Sequence, residues 1–191
     1  PLLTARELSF IVRDSKARVL IVVDTMFPTV EQAMLDQDIE NLIIVPLTGQ
    51  KIEAAGVQLF DDILQQHEPN PPDVEIDPEE DLAVLQYTGG TGFPKGAMLT
   101  HYNLVANAEM TREMLREWKE KFGDKELLCM GLLPFFHSYG MTVCLNTGLT
   151  IPSGQIMVPQ FNADLILYLV QQYKPVLFPG VPTAFIALMN H

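Results

Sequence analysis

Basic residues are scarce in this chain. Lys and Arg number 12 against 24 Asp and Glu, a net charge of −12 over 191 residues. A nucleic-acid surface needs a basic face, so that class of partner is excluded. The acidity is uneven. Residues 68–81, EPNPPDVEIDPEED, hold seven of the 24 acids and no base, which leaves 17 acids against 12 bases elsewhere. The remaining surface can still hold a small anion, which needs only a few local donors. Cysteine is scarcer still. Cys129 and Cys144 sit alone in apolar surroundings, too few for a disulfide framework and without metal-ligand spacing. They are expected to be buried free thiols of a reducing compartment. No signal-peptide pattern is read at the first residues, and no repeat of fixed period runs through the chain.

Charge is missing altogether from residues 127–163. By length alone that stretch would span a bilayer. Pro134, His137, Asn146, Pro152, Ser153 and Gly154 break it, however. A buried strand followed by a buried helix is the expectation.

What is present is globular: apolar residues make up 48% and charged residues 19%. Thr4 and Glu7 have capping-box spacing, and a helix is expected to about Ser15. Residues 18–24, RVLIVVD, form a β-branched run suited to a strand buried on both faces. A helix from Pro28 to about Gln37, a strand over 41–47 and a helix over 57–66 follow. This alternation favours an α/β layer fold with a parallel sheet. Pro69, Pro71, Pro72 and Pro78 keep 68–81 out of a sheet interior. A strand over 82–88 leads into a glycine-rich turn, with 96–99 as its hairpin partner. Residues 103–122 are expected to form one long amphipathic helix, with Leu104, Ala108, Met114, Leu115 and Trp118 inside. Strands at 127–133, 155–158 and 176–178 alternate with helices at about 139–149, 162–173 and 182–191. The chain opens at Pro1 and stops inside the last of these helices, as a piece of a longer protein would.

The chemistry concentrates in residues 85–101, LQYTGGTGFPKGAMLTH. A glycine turn after a strand lets backbone N–H groups converge on an anion. Thr88 and Thr91 add hydroxyls, and Lys95 a mobile point charge suited to phosphate oxygens. The Walker pattern is excluded, because Lys95 precedes Gly96 rather than Ser or Thr. The dinucleotide pattern is excluded too, because Lys95 stands where its third glycine belongs. An ordinary hairpin turn remains the alternative on spacing alone.

The wider string, residues 87–107, YTGGTGFPKGAMLTHYNLVAN, resembles the signature of the adenylate-forming enzymes: acyl-CoA synthetases, luciferases and adenylation domains. LLPFFHSYGM at 132–141 is similar to the family's P-x-F-H-x-x-G segment. FPGVPTAFIALMNH at 178–191 is similar to its G-V-P-T segment, and residues 1–22 to the region before the loop. The Thr-Gly-Gly form and PFFHSYGMT look most like medium- and long-chain fatty acyl-CoA synthetases. The resemblance implies a three-layer α-β-α fold with a largely parallel sheet, part of the large N-terminal domain. Residues 1–67 would be α/β units, 68–81 a surface loop, and 82–191 the phosphate loop with part of an acyl pocket. The C-terminal domain would be absent, along with the later motifs that hold magnesium and ribose. The segment alone is therefore expected to be inactive.

The implied reaction joins a fatty acid to ATP, giving acyl-AMP and pyrophosphate, and then to coenzyme A. By resemblance, Thr88, Gly89, Gly90, Thr91, Gly92 and Lys95 hold ATP phosphates, and Thr88 also meets Mg2+. His137 sits beside the acyl group and, with Lys95, is the catalytic candidate. A carboxylate nucleophile is already ionised at neutral pH, so His137 would position it or its oxyanion rather than take a proton. Phe135, Phe136, Tyr139 and Met141 suit an acyl-pocket wall, with plain core packing as the alternative. Some long-chain members carry a gating Trp at the place of Met141. Gly180, Val181 and Thr183 would lie near the acyl or adenylate site. His101 is expected to serve as structural capping at a strand-to-helix junction. A cytoplasmic location is implied, with peripheral membrane contact and a homodimer left open. The rivals are an aryl-acid, luciferin or amino-acid adenylate-former, and a noncatalytic nucleotide-binding or interaction domain. The family has two adjacent threonines where this chain has Thr91 alone. A deletion there would shift Gly92 and Lys95 by up to about one residue's reach, ~3.5 Å.

Overall fold

A computed structural model describes residues 3–33, 39–49, 52, 54–88, 94–122, 127–151 and 153–191. The chain divides into two compact units, Pro1–Glu75 with Tyr87–Ala97, and Ile76–Gln86 with Met98–His191. The chain leaves one unit and returns to it through two paired strands, β4 (Leu82–Thr88) and β5 (Lys95–Thr100).

The first unit begins with α1 (Ala5–Ser15). The Thr4 hydroxyl accepts from the Glu7 N–H while the Glu7 carboxylate accepts from the Thr4 N–H, the reciprocal pair that its spacing foretells. Leu8 and Val12, one helical turn apart, are buried against Val30 and Ala33 of α2 (Phe27–Ala33). A parallel sheet follows, in the order β1 (Val19–Val23), β2 (Asn41–Val45) and β3 (Val57–Leu59). Leu20, Val22 and Leu42 pack against the α1–α2 cluster. Each residue as fully buried as Val30 or Ile44 contributes about 1.5–3 kcal/mol.

Two expectations change here. β1 is not buried on both faces: Val19 and Ile21 are 47% and 56% exposed. The alternation of a strand puts them opposite Leu20 and Val22, the face on which the α1–α2 cluster packs. The segment 57–66 is not all helix either. Its first three residues pair with β2, and α3 (Phe60–Gln66) follows. Three residues are too few to show a strand period.

Asp24 closes β1 as a buried carboxylate, accepting from the Thr48 N–H and hydroxyl, both at 2.7 Å, and from the Thr25 N–H at 2.8 Å. Burial pushes its pKa up, but the hydrogen bonds from Thr48, Thr25 and Leu47 outweigh that and hold it below the usual aspartate value. A carboxylate depressed in the folded state stabilises fully above its unfolded pKa, about 3.9, and the contribution fades as pH falls through the lower folded value. Urea midpoints of the wild type should therefore drop below pH 4 more steeply than those of Asp24→Asn. Parallel pH profiles would refute the assignment.

The second unit begins in the acidic segment. Residues 68–81 are exposed and irregular, as expected. Asp77 organises their end, its carboxylate accepting from the N–H groups of Glu79 and Glu80. The expected long helix is broken into α4 (His101–Met114) and α5 (Arg116–Phe122). Ala108 is buried, but Met114 is 79% exposed, so it leaves the proposed stripe. The side chain of Trp118 lies outside the described residues. Thr100, not His101, caps α4: its hydroxyl accepts from the Asn103 N–H at 3.3 Å, and Asn103 Oδ1 accepts in return at 3.0 Å.

A second parallel pair, β6 (Leu127–Gly131) and β7 (Ser153–Met157), carries this unit's core. Met130 on one face packs with Ile166 of α8 (Ala163–Tyr173) and Leu188 of α9 (Pro182–Met189). Cys129 on the other packs with Cys144. That cysteine belongs to a continuous helical run in which a π turn, Met141–Asn146, links α6 (Ser138–Gly140) to α7 (Thr147–Thr150). Helices thus cover both faces of this sheet, the three-layer arrangement expected. The expected strand at 176–178 is reduced to one parallel bridge between Cys129 and Leu177, and the last helix ends at Met189. Among the described residues no helix is long and apolar enough to cross a membrane.

Candidate active site

A turn at the end of β6 builds the site. Pro134 O accepts from the His137 N–H at 3.1 Å, and His137 O accepts from the Met141 N–H at 2.8 Å, so the turn runs straight into the helical segment. Gly140 makes this closure possible. A Cβ at that position would stand 2.2 Å from Pro134 O and 3.1 Å from Leu133 O. The spacing from Pro134 to Gly140 is thus a steric requirement.

The imidazole of His137 caps α6, Nδ1 accepting from the Tyr139 N–H at 3.2 Å. An Nδ1 that accepts leaves the proton of the neutral ring on Nε2. His137 is exposed and presents an N–H donor with a fixed ring orientation.

Beside this turn lies a cavity of about 700 Å3, within the range of small-molecule sites. Leu132, Leu133, Pro134, Phe136, His137 and Tyr139 form one wall. Pro159, Gln160 and Phe161, after β7, form a second. Val181, Thr183, Ala184 and Ala187, from α9 and its approach, form the third. The walls are largely apolar, with His137, Tyr139, Gln160 and Thr183 as the polar groups.

Five residues singled out by sequence therefore meet around one space: Phe136, His137, Tyr139, Val181 and Thr183. Three do not line it. Phe135 turns the other way and packs against Cys129, Leu133 and Cys144. Met141 begins the π turn. Gly180 sits against the ring of Phe185, which tilts on Phe178 with centroids 5.3 Å apart. Sequence reasoning missed the second wall, which only the β6–β7 pairing brings near the turn. Ala184 and Ala187 were legible, as small residues one turn apart on an apolar helix.

The glycine-rich candidates stand elsewhere in the chain. Gly89, Gly90, Thr91 and Gly92 lie outside the described residues. Thr88 ends β4 and Lys95 begins β5, both exposed. The frame around them is described. The Tyr87 hydroxyl donates to Asp14 Oδ2 at 2.6 Å; burial and that bond push its pKa up to about 12. The Tyr87 ring covers Gly96, where a Cβ would lie only 3.1 Å from it. Among the described residues no group of three His, Cys, Asp or Glu could hold a metal.

Parallel strands between helices, with an apolar cavity beside a histidine turn, define an α/β domain with a candidate ligand site. Comparison with known proteins says which. The model of the family described as AMP-binding enzyme matches residues 1–191, and the chain belongs to that family. It is 37% identical over 213 aligned residues to a long-chain-fatty-acid–CoA ligase of Bacillus subtilis (strain 168), across 100% of this chain and 37% of that protein. It is 29% identical over 188 residues to a 4-coumarate–CoA ligase of Vanilla planifolia, across 98% of this chain and 34% of that one. Among solved structures it is similar to the long-chain-fatty-acid-CoA ligase FadD1 from Archaeoglobus fulgidus, with a TM-score of 0.79 and 26% identity, over 100% of this chain and 35% of that one. ATP-bound MatB from Rhodopseudomonas palustris shares the fold, with a TM-score of 0.79 at 23% identity over 100% of this chain and 35% of that one. The chain spans about a third of the length of the curated relatives it matches.

Proposed function

We propose that this chain is the acyl- and phosphate-binding part of an AMP-forming acid–thiol ligase that activates a fatty acid with ATP and passes it to coenzyme A. The observation that carries the reading is the convergence of Phe136, His137, Tyr139, Val181 and Thr183 on one apolar cavity of about 700 Å3. A carboxylate entering that cavity meets the Nε2–H of His137, with Tyr139, Gln160 and Thr183 as the other polar groups of the lining. The carboxylate oxygen attacks the α-phosphorus of ATP and pyrophosphate leaves. His137 holds the nucleophile in line, where positioning and charge stabilisation carry most of the rate. Apolar walls exclude water that would compete for the phosphorus. Lys95 and the hydroxyl of Thr88 would meet phosphate oxygens. One hydroxyl fits a magnesium ion that is carried chiefly by phosphates. Bound magnesium would neutralise charge as pyrophosphate forms.

The curated relatives include ligases for 4-coumarate as well as for long-chain fatty acids, so the second reading is an aryl acid in the same cavity. Exchange of labelled pyrophosphate into ATP by the longer protein, driven by one carboxylic acid at a time, separates the two. Exchange with C12–C18 fatty acids supports the proposal, and exchange with hydroxycinnamates alone replaces it. Nucleotide binding without exchange for any acid would leave a noncatalytic domain. The 191 residues by themselves are expected to give no thioester; turnover near that of a full-length relative would overturn that expectation.

A further inference from the structure

Gln86 reaches the histidine turn from outside it. This residue stands near the end of β4 and is half-buried. Its Nε2 donates to the carbonyl of Phe136 at 3.2 Å, across 50 positions of sequence. A carbonyl only accepts, so the amino end of the amide must face it. The carbonyl of Phe136 and the N–H of His137 belong to one planar peptide group. That group is held at both ends. Its N–H donates to Pro134 O at 3.1 Å, inside the turn, and its carbonyl accepts from Gln86, outside the turn. The residues it joins, Phe136 and His137, both line the larger cavity. Gln86 itself has a firm base. The Tyr102 N–H donates to Pro78 O at 2.7 Å and the His101 N–H to Asp81 O at 3.4 Å, so the approach to β4 is bound to the start of α4. The Thr142 hydroxyl donates to Asn107 Oδ1 at 2.8 Å, which ties the middle of α4 to the π turn that follows the histidine turn. The bond from Gln86 closes this circuit.

We propose that Gln86 is a positioning residue, which acts through the Phe136–His137 peptide to hold the His137 imidazole on the carboxylate it aligns; this rests on the role of His137 proposed above. Two bonds at opposite ends fix the tilt of a planar group, whereas one leaves it free to pivot. Without the Gln86 donor, the plane rocks about the bond to Pro134 and carries the Cα of His137 with it. The bond from the Tyr139 N–H to Nδ1 fixes the ring only against the residues that follow it, so it does not replace the lost anchor. A displacement of about 1 Å at Nε2 is enough to slow an in-line attack about 10²-fold. The bond is accessible to solvent, with Phe136 58% exposed, so it adds little to folding. The effect of losing it falls on orientation rather than on stability.

The test uses the longer protein. Gln86→Met keeps the length of the side chain and removes the donor. Gln86→Glu keeps its shape and, once ionised, presents only acceptors. Each should lower kcat for acyl-AMP formation about tenfold or more, with KM for the acid within about twofold and an unchanged urea midpoint. Combined with His137→Asn, either should add less than about twofold to the loss that His137→Asn shows alone, because Gln86 acts through that ring. A readout without turnover accompanies these. Hydrogen exchange at the His137 amide should quicken about three- to tenfold in both variants. If the wild type activates no acid, the proposed activity falls, and the amide exchange alone decides whether Gln86 orients the turn. Should Gln86→Met fold poorly, Gln86→Glu carries the comparison. Unchanged kcat in both variants, a loss that multiplies with that of His137→Asn, a rise in KM alone, or unchanged exchange at the His137 amide would each overturn the proposal.

Discussion

Gly140→Ala is expected to unfold the candidate site. Two effects compete at that position. Gly140 has helical angles, φ −65° and ψ −39°, so propensity alone favours alanine by about 1 kcal/mol. The added methyl, however, would lie 2.2 Å from Pro134 O. That atom is backbone and cannot swing aside as a side chain would. It also accepts from the His137 N–H, so any retreat drags the histidine with it. Overpacking of this kind costs about 3 kcal/mol, and the clash wins. Denaturant midpoints should fall accordingly, and binding of the proposed acyl substrate should weaken even where the variant stays folded. A variant as stable as the wild type, or more so, would mean the turn is looser than its hydrogen bonds imply.

His137 offers the second large effect, and two substitutions divide its roles. Asparagine can place an acceptor where Nδ1 meets the Tyr139 N–H, which preserves the cap. It cannot place a donor where Nε2 stands. His137→Asn in the longer protein should keep stability within about 0.5 kcal/mol and lose roughly 10²–10³-fold in kcat for acyl-AMP formation, as removal of one oxyanion donor does. His137→Ala should lose the same activity and about 1 kcal/mol of stability with the cap. Equal activity in the Asn variant and the wild type would reduce His137 to a capping residue. If chiefly KM rose, the imidazole would be acting on ground-state binding rather than on the attack.

Residues that signal through local spacing were readable in the sequence. Thr4 and Glu7 announced α1, and the proline-bearing acids announced an exposed segment. The P-x-F-H-x-x-G segment stood out by resemblance alone, and the close approach of Gly140 to Pro134 explains its last position. Features made by partners distant in sequence were not. Val57–Leu59 becomes a strand only because β2 offers it an edge. The asparagine that completes the Thr100 cap stands where Glu or Gln is the usual signal. Neither the break at Leu115 nor the π turn has a residue such as proline to mark it. Phe135 and Phe136 are chemically identical neighbours, and only the direction of the turn sends one to the cluster around Cys129 and the other to the cavity. The parallel, helix-flanked architecture was accessible from the alternation of elements, whereas the exposed face of β1 was not.

The bond between Tyr87 and Asp14 has a consequence for handling the protein. It joins residues 73 positions apart, and so moors the start of the glycine-rich segment to the last turn of α1. Trimming the amino-terminal helix, which looks remote from every candidate residue, would cut that mooring. Damage at the glycine-rich segment would then come from a deletion more than seventy residues upstream.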